Sequence, residues 1–208
     1  MMNAKSTRAR LARRNWIFSV IAALFALSLP GQARAEEPQT IVQRMVDNAF
    51  EVLRDPALQQ KRSERLTRLR AIADRGFDWE EMAQSSLGVS WRKLTEPQRR
   101  EFVSVFKDVL ADQYMDDIDR FRGTERVVMN GTTSIDSSRL VKTILITSSR
   151  ERIPIDYLMQ PTGGAYRVVD VRIEGVSLVN HYRKSFSRFL VNESFDELIR
   201  RLRARLVR

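Results

Sequence analysis

The chain has 208 residues, 43% hydrophobic and 30% charged, with 36 bases, 26 acids, a single histidine and no cysteine. Disulfides, a thiol nucleophile and a cysteine-ligated metal are excluded, and a zinc site would have to be built mostly from carboxylates, which is uncommon. The formal charge of +10 would point to a polyanionic partner if it all belonged to the folded body, and the first segment argues that it does not.

Residues 1–35 have the tripartite layout of a secretory signal. Arg8, Arg10, Arg13 and Arg14 form a basic start, Trp16 to Leu29 is apolar, and Pro30-Gly31 precedes the small-x-small pattern Ala33-Arg34-Ala35. An apolar stretch of about 14 residues is short of the roughly 20 that cross a bilayer, which argues against a membrane anchor. Arg13-Arg14 is followed by Asn15-Trp16, a poor match to twin-arginine export, so general secretion to the periplasm is expected, with cleavage after Ala35. Removing Lys5, Arg8, Arg10, Arg13, Arg14 and Arg34 leaves 30 bases against 26 acids, a formal +4. That charge is too small to demand nucleic acid and allows weak attraction to anionic lipid or an acidic partner. Residues 36–208 suit one domain of ordinary size.

Along that domain, Ile41, Met45, Ala49, Phe50 and Leu53 recur at helical spacing. Asp55-Pro56 restarts the chain as a cap and first-turn proline, and Leu58, Leu66, Leu69 and Ile72 mark a second helix whose bases, including Arg65, are expected on a solvated face. A short helix follows, from a cap at Asp78 to a stop at Gly88. The longest helical signal starts at a Thr95 cap and carries Phe102, Phe106, Val109, Tyr114, Ile118 and Phe121 down one face. Asp112, Asp116 and Asp119 on the same helix lack the glycine turn and alternating ligands of a calcium loop.

From Arg126 the period changes to two. "RVVMNGTT", "RLVKTILIT", "RIPIDYLMQ" and "AYRVVDVRI" predict four strands in an antiparallel meander, with Pro154 at an edge or a strand start. After Gly175, helical spacing returns through Leu178, Tyr182, Phe186, Phe189 and Leu190, and a last helix begins at a Ser194–Glu197 capping box. The plan is α+β: a four-stranded antiparallel sheet packed with helices from both ends of the chain.

The junction "VVDVRIEGVSLVNHYRKSF" has the ingredients of a hydrolase site: Gly175-Val176-Ser177, His181 one turn after Ser177, and Asp170 to orient the histidine. The nucleophile-elbow pattern nevertheless fails at Val179, where the sharp turn needs a glycine. Asp170, Glu174 and His181 are therefore expected as polar positions on outer faces. Gly163-Gly164 joins two strands and opens no helix, which excludes a phosphate-binding loop there.

In order, "SSLGVSWRKLTEPQRREFVSVFKDVLADQY", "RIPIDYLMQP" and "YRVVDVRIEGVSLVNHYRKSFSRFL" with "FDELIRRLRARL" resemble the periplasmic phospholipid-binding MlaC family, also called the toluene-tolerance family. Asp170 to Arg183 is the most specific element. Tyr166 stands where the family commonly has tryptophan, and His181 where a small polar residue is usual, so the histidine is not needed for the family's activity. The resemblance implies a carrier without a cofactor or metal, holding phospholipid acyl chains in an apolar cavity between sheet and helices. The implied partners are an inner-membrane MCE-domain protein of an ABC transporter and an outer-membrane lipoprotein complex, and the implied role is outer-membrane lipid asymmetry. On that basis Phe102, Phe106, Val109 and Tyr114 would line one wall, Ile144, Ile146, Ile155 and Tyr157 the sheet floor, and Val176, Leu178, Val179 and Tyr182 the mouth or far wall. Arg172, Arg183 and Lys184 are candidates to meet a phosphate. The alternatives from other classes are a cavity-bearing α+β hydrolase or isomerase, and a non-lipid envelope adaptor or chaperone acting through Arg200, Arg201, Arg203 and Arg205.

Overall fold

A computed structural model describes residues 36–119, 121 and 123–206, without the side chains of 115–119. The expected signal segment lies outside the described residues, as does the side chain of Ile118. In chain order the elements are helices α1 (Pro38–Arg54), α2 (Arg62–Gly76), α3 (Trp79–Leu87) and α4 (Glu96–Asp119), then strands β1 (Arg126–Ile135), β2 (Ser138–Ile146), β3 (Arg152–Thr162), β4 (Ala165–Ile173) and β5 (Val176–Ser177), then helices α5 (Leu178–Phe189) and α6 (Phe195–Leu206). The α+β plan and the antiparallel meander are observed, but the sheet has five strands rather than four, in the order β1-β2-β3-β4-β5.

The fifth strand arises because Glu174-Gly175 is a tight turn and not a simple strand end. Both residues have positive φ, 50° and 80°, the backbone of a two-residue hairpin whose twist matches that of the strands. It lets Ile173 pair with Val176 and Arg172 with Ser177. Pro154 is the third residue of β3, opposite Ile144, so it sits near the start of an interior strand.

The helix signals follow local chemistry closely. Asp78 accepts the Glu81 N–H at 3.1 Å, and Gly88 closes α3 with a φ of 58°. Thr95 and Gln98 form a reciprocal box, with Thr95 N–H donating to Gln98 Oε1 at 3.0 Å and the Gln98 N–H facing Thr95 Oγ1 at 3.5 Å. Ser194 accepts the Glu197 N–H at 3.2 Å.

Three positions differ from expectation. Leu58 belongs to a separate 3-10 turn, Pro56–Leu58, capped by Asp55. Arg65 is buried instead of solvated: its Nη1 donates to the carbonyls of Leu58 at 2.8 Å and Gln59 at 3.0 Å, satisfying the end of that turn. Phe121 lies beyond α4 and packs on Phe50 of α1, ring centroids 5.7 Å apart, instead of continuing the α4 stripe.

Two apolar clusters result. One is all-helical and joins α3, α4, α5 and α6 through Met82, Leu87, Phe102, Phe106, Tyr182, Phe186 and Leu202. The other joins Ile41, Val42, Val46 and Phe50 of α1 to one face of the sheet through Val141, Met159, Val168 and Val171. At the edge of β4, Asp78 donates its N–H to the Val168 carbonyl at 2.9 Å, which ties α3 to the sheet between the clusters.

Candidate functional site: the sheet face under α1 and the strand-to-helix junction

The junction is a capping device. Ser177 is the N-cap of α5 and accepts the Asn180 N–H at 3.0 Å. Asp170, 6% exposed, accepts the Val179 N–H at 3.1 Å. Two of the four amides that a helix start leaves unpaired are thus satisfied, and both acceptors carry negative charge or partial charge toward the positive end of the helix dipole. The expectation of an outer polar Asp170 is corrected: it is buried because α5 begins over it. His181 is exposed, its ring edge-on to Tyr182 at 5.6 Å. The Ser177 hydroxyl serves the helix, and the Asp170 carboxylate serves a backbone amide.

Register decides which side chains share a face of the sheet, because paired residues in an antiparallel ladder point the same way. Val141, Tyr157 and Val171 form one cross-strand row, Thr143, Ile155 and Ile173 the next, and Met159 pairs with Val168. These rows face α1. Ile144 aligns with Val128 and Pro154, and Ile146 with Arg126 and Arg152, on the opposite face, in step with the polar row Lys142, Asp156 and Arg172. The structure therefore does not bring the four expected floor residues together: Ile155 and Tyr157 lie under α1, Ile144 and Ile146 do not.

The other expected residues divide as well. Phe102, Phe106 and Val109 are buried in the helical cluster with Val179 and Tyr182, and Tyr114 packs against its edge. The rings of Phe102 and Phe106 stack at 5.6 Å, and Phe106 meets Tyr182 edge-on at 5.2 Å. Tyr182 donates its hydroxyl to Gln113 Oε1 at 2.5 Å. Leu178 turns toward the sheet cluster, while Val176 is 58% exposed. Of the candidate phosphate contacts, Arg183 Nε donates to the Ser85 carbonyl at 2.6 Å, and Arg172 on β4 stands opposite Asp156 of β3 in the strand register.

Around the α1-facing rows, Met45, Val127, Met129, Ile155, Tyr157 and Ile173 are only half-buried. Burial pushes the Tyr157 phenol up to about 12, although the residue keeps some accessible surface. Tyr182 is also pushed up to about 12, by burial first and by the neighbouring Tyr114 second, with Arg205 opposing. Met45, Val127, Met129 and Ile173 pack against this cluster without having been anticipated as site residues. The helical spacing of α1 was legible, but nothing local says which sheet face it covers. Among the described residues no group of three or more His, Asp or Glu side chains could hold a metal.

Among solved structures, the chain is similar to one described as the phospholipid-binding protein from Ralstonia solanacearum in complex with a phospholipid, with a TM-score of 0.76 and 20% identity, covering 83% of this chain and 100% of that one. At that identity the likeness establishes the fold. Among curated protein sequences none matches. The family model described as MlaC protein matches residues 43–204. With most of the chain matched in sequence and the same fold in a solved structure, the chain belongs to the MlaC family.

Proposed function

We propose that the chain is a periplasmic carrier that holds a phospholipid with its acyl chains between α1 and the inner sheet face. It exchanges that lipid between an outer-membrane lipoprotein complex and the MCE-domain protein of an inner-membrane ABC transporter. The observation that carries this reading is the apolar, half-buried lining under α1, from Met45 through Ile155 and Tyr157 to Ile173. Membership of the MlaC family and the phospholipid in the similarly folded protein support it. Ile155, Tyr157 and Leu178 belong to that lining, while Phe102, Phe106, Val109, Tyr114, Val179 and Tyr182 form the helical wall beside it.

A two-chain phospholipid has on the order of 30 tail methylenes, and at about 0.8 kcal/mol each, wetting them costs roughly 24 kcal/mol. A shallow surface groove cannot offset that, and an apolar slot that opens by shifting α1 from the sheet can. Because the tails are nearly as well hidden in the carrier as in a bilayer, transfer is close to balanced, and partners of different affinity set its direction. Chemistry on the lipid is not part of the reading: the junction's acidic and hydroxyl groups are engaged in capping. None of the described helices is long and apolar enough to cross a membrane. The test is lipid extraction and mass spectrometry of the chain purified without detergent. Phospholipid near one per protein is the expected result, and a chain that never carries lipid overturns the proposal.

A further inference from the structure

α5 packs chiefly against α3 and β4, and α6 against α4; their buried residues join in the helical cluster, and a seam runs between them at the surface. It forms a cleft of about 580 Å³ with an apolar floor of Phe186, Phe189, Leu198 and Leu202 and a rim carrying Arg201 and Arg205. The volume lies within the range of small-molecule sites. No acidic side chain lines it. The Arg201 guanidinium is poised over the Phe189 ring at 5.2 Å, which holds a cation above the apolar floor. Arg205 also borders an adjoining cleft of about 370 Å³ that Asp112, Gln113, His181 and Tyr182 line.

The charge around this seam is not spent on ion pairs. Arg200 pairs with Glu197, and Arg203 with Glu101 at 2.8 Å, whereas Lys184, Arg188, Arg201 and Arg205 have no ion-pair partner among the described residues. Lys184 and Arg188 are four apart on α5, one row outward from Ser185 and Phe189, which line the cleft. The apolar floor is therefore bordered by bases from both helices. A groove between two neighbouring helices accepts one chain lying along it, and an anionic head at its rim meets two guanidinium groups able to form charge-assisted hydrogen bonds. We propose that the α5–α6 cleft is a separate site for a single-chain anionic amphiphile, of the fatty-acid or lysophospholipid class, with the head at Arg201 and Arg205 and the chain on Phe186, Phe189, Leu198 and Leu202. It lies on the helical cluster and not under α1, so it does not depend on the phospholipid reading above.

The experiment titrates the purified chain with a fluorescent long-chain fatty acid and, separately, with the matching long-chain alcohol, while mass spectrometry follows any phospholipid already present. Saturable binding of the acid is expected, with the alcohol weaker by about tenfold or more, the scale of losing charge-assisted hydrogen bonds. The exposed double substitution Arg201→Gln with Arg205→Gln should cause a similar loss. Ala204→Trp, which fills the cleft from an exposed helix position, should abolish binding of the acid, with circular dichroism showing an unchanged fold. In each case resident phospholipid should stay in place. Equal affinity for acid and alcohol, binding indifferent to both variants, release of resident phospholipid in step with uptake, or a response only to an acidic peptide would each overturn the assignment.

Discussion

The carboxylate of Asp170 on β4 accepts the N–H of Val179 in the first turn of α5 at 3.1 Å, and the acid is buried where the two elements meet. This contact fixes where the helix starts relative to the sheet, and so how Val179 and Tyr182 enter the helical cluster while Leu178 turns toward the sheet.

Asp170→Ala leaves the buried Val179 amide without its acceptor and should lower unfolding stability by about 1–3 kcal/mol. Asp170→Asn keeps an acceptor and should lose less. Urea denaturation measures both. A catalytic Asp170 would instead show full stability with lost turnover, so the two roles separate cleanly.

His181→Ala removes an exposed ring and should change stability by no more than about 0.5 kcal/mol, with the lipid content of the purified protein unchanged. Loss of lipid on this change would return the histidine to the site.

Register predicts opposite results for two isoleucines on neighbouring strands. Ile155→Trp, on the α1-facing row, should reduce co-purified phospholipid several-fold. Ile144→Trp, on the other face, should leave it near the parent level. Quantitative mass spectrometry of the two variants checks the face assignment directly.

Phe106 is 1% exposed and touches the rings of Phe102, Tyr182 and Phe186. Phe106→Ala should cost about 3–5 kcal/mol, the scale of a cavity left by a buried aromatic ring. Thermal unfolding should show it as a fall in Tm.

Alkaline pH supplies a test of Tyr157. Its ordinary value is 10.0 and burial raises it to about 12 in the folded chain. Below 10 both states hold the proton and the group contributes no slope. Between about 10 and 12 the unfolded chain has released its proton and the folded chain has not, so stability falls as pH rises, at most about 1.4 kcal/mol per unit. Tyr157→Phe should flatten that limb by the Tyr157 share, leaving the contribution of Tyr182.

Much of the fold is readable locally because caps and turns act within a few residues. Asp78, Gly88, Thr95 and Ser194 each mark a helix boundary where it was expected, and the change from a period near four to a period of two at Arg126 locates the sheet. The candidate site is less legible. β2 is apolar on both faces, through Leu140, Val141, Ile144, Leu145 and Ile146, so its alternation cannot tell the α1 side from the other. Arg65 reads as a surface base and Asp170 as a surface acid, and both are buried because they satisfy backbone groups at the ends of neighbouring elements.

The amino-acid sequence by itself determined the helices in outline, four of the five strands, their order, the meander and the family resemblance, since propensity, capping and turn chemistry are local and Asp170 to Arg183 is a distinctive run. Only the tertiary structure decided that Ile155 and Tyr157 face α1 while Ile144 and Ile146 face away, that the apolar stripes of α1 and α4 feed two separate clusters, and that α5 and α6 border a common cleft. Those outcomes depend on pairing register and on which helix covers which face, contacts between residues far apart in the chain that no local pattern specifies.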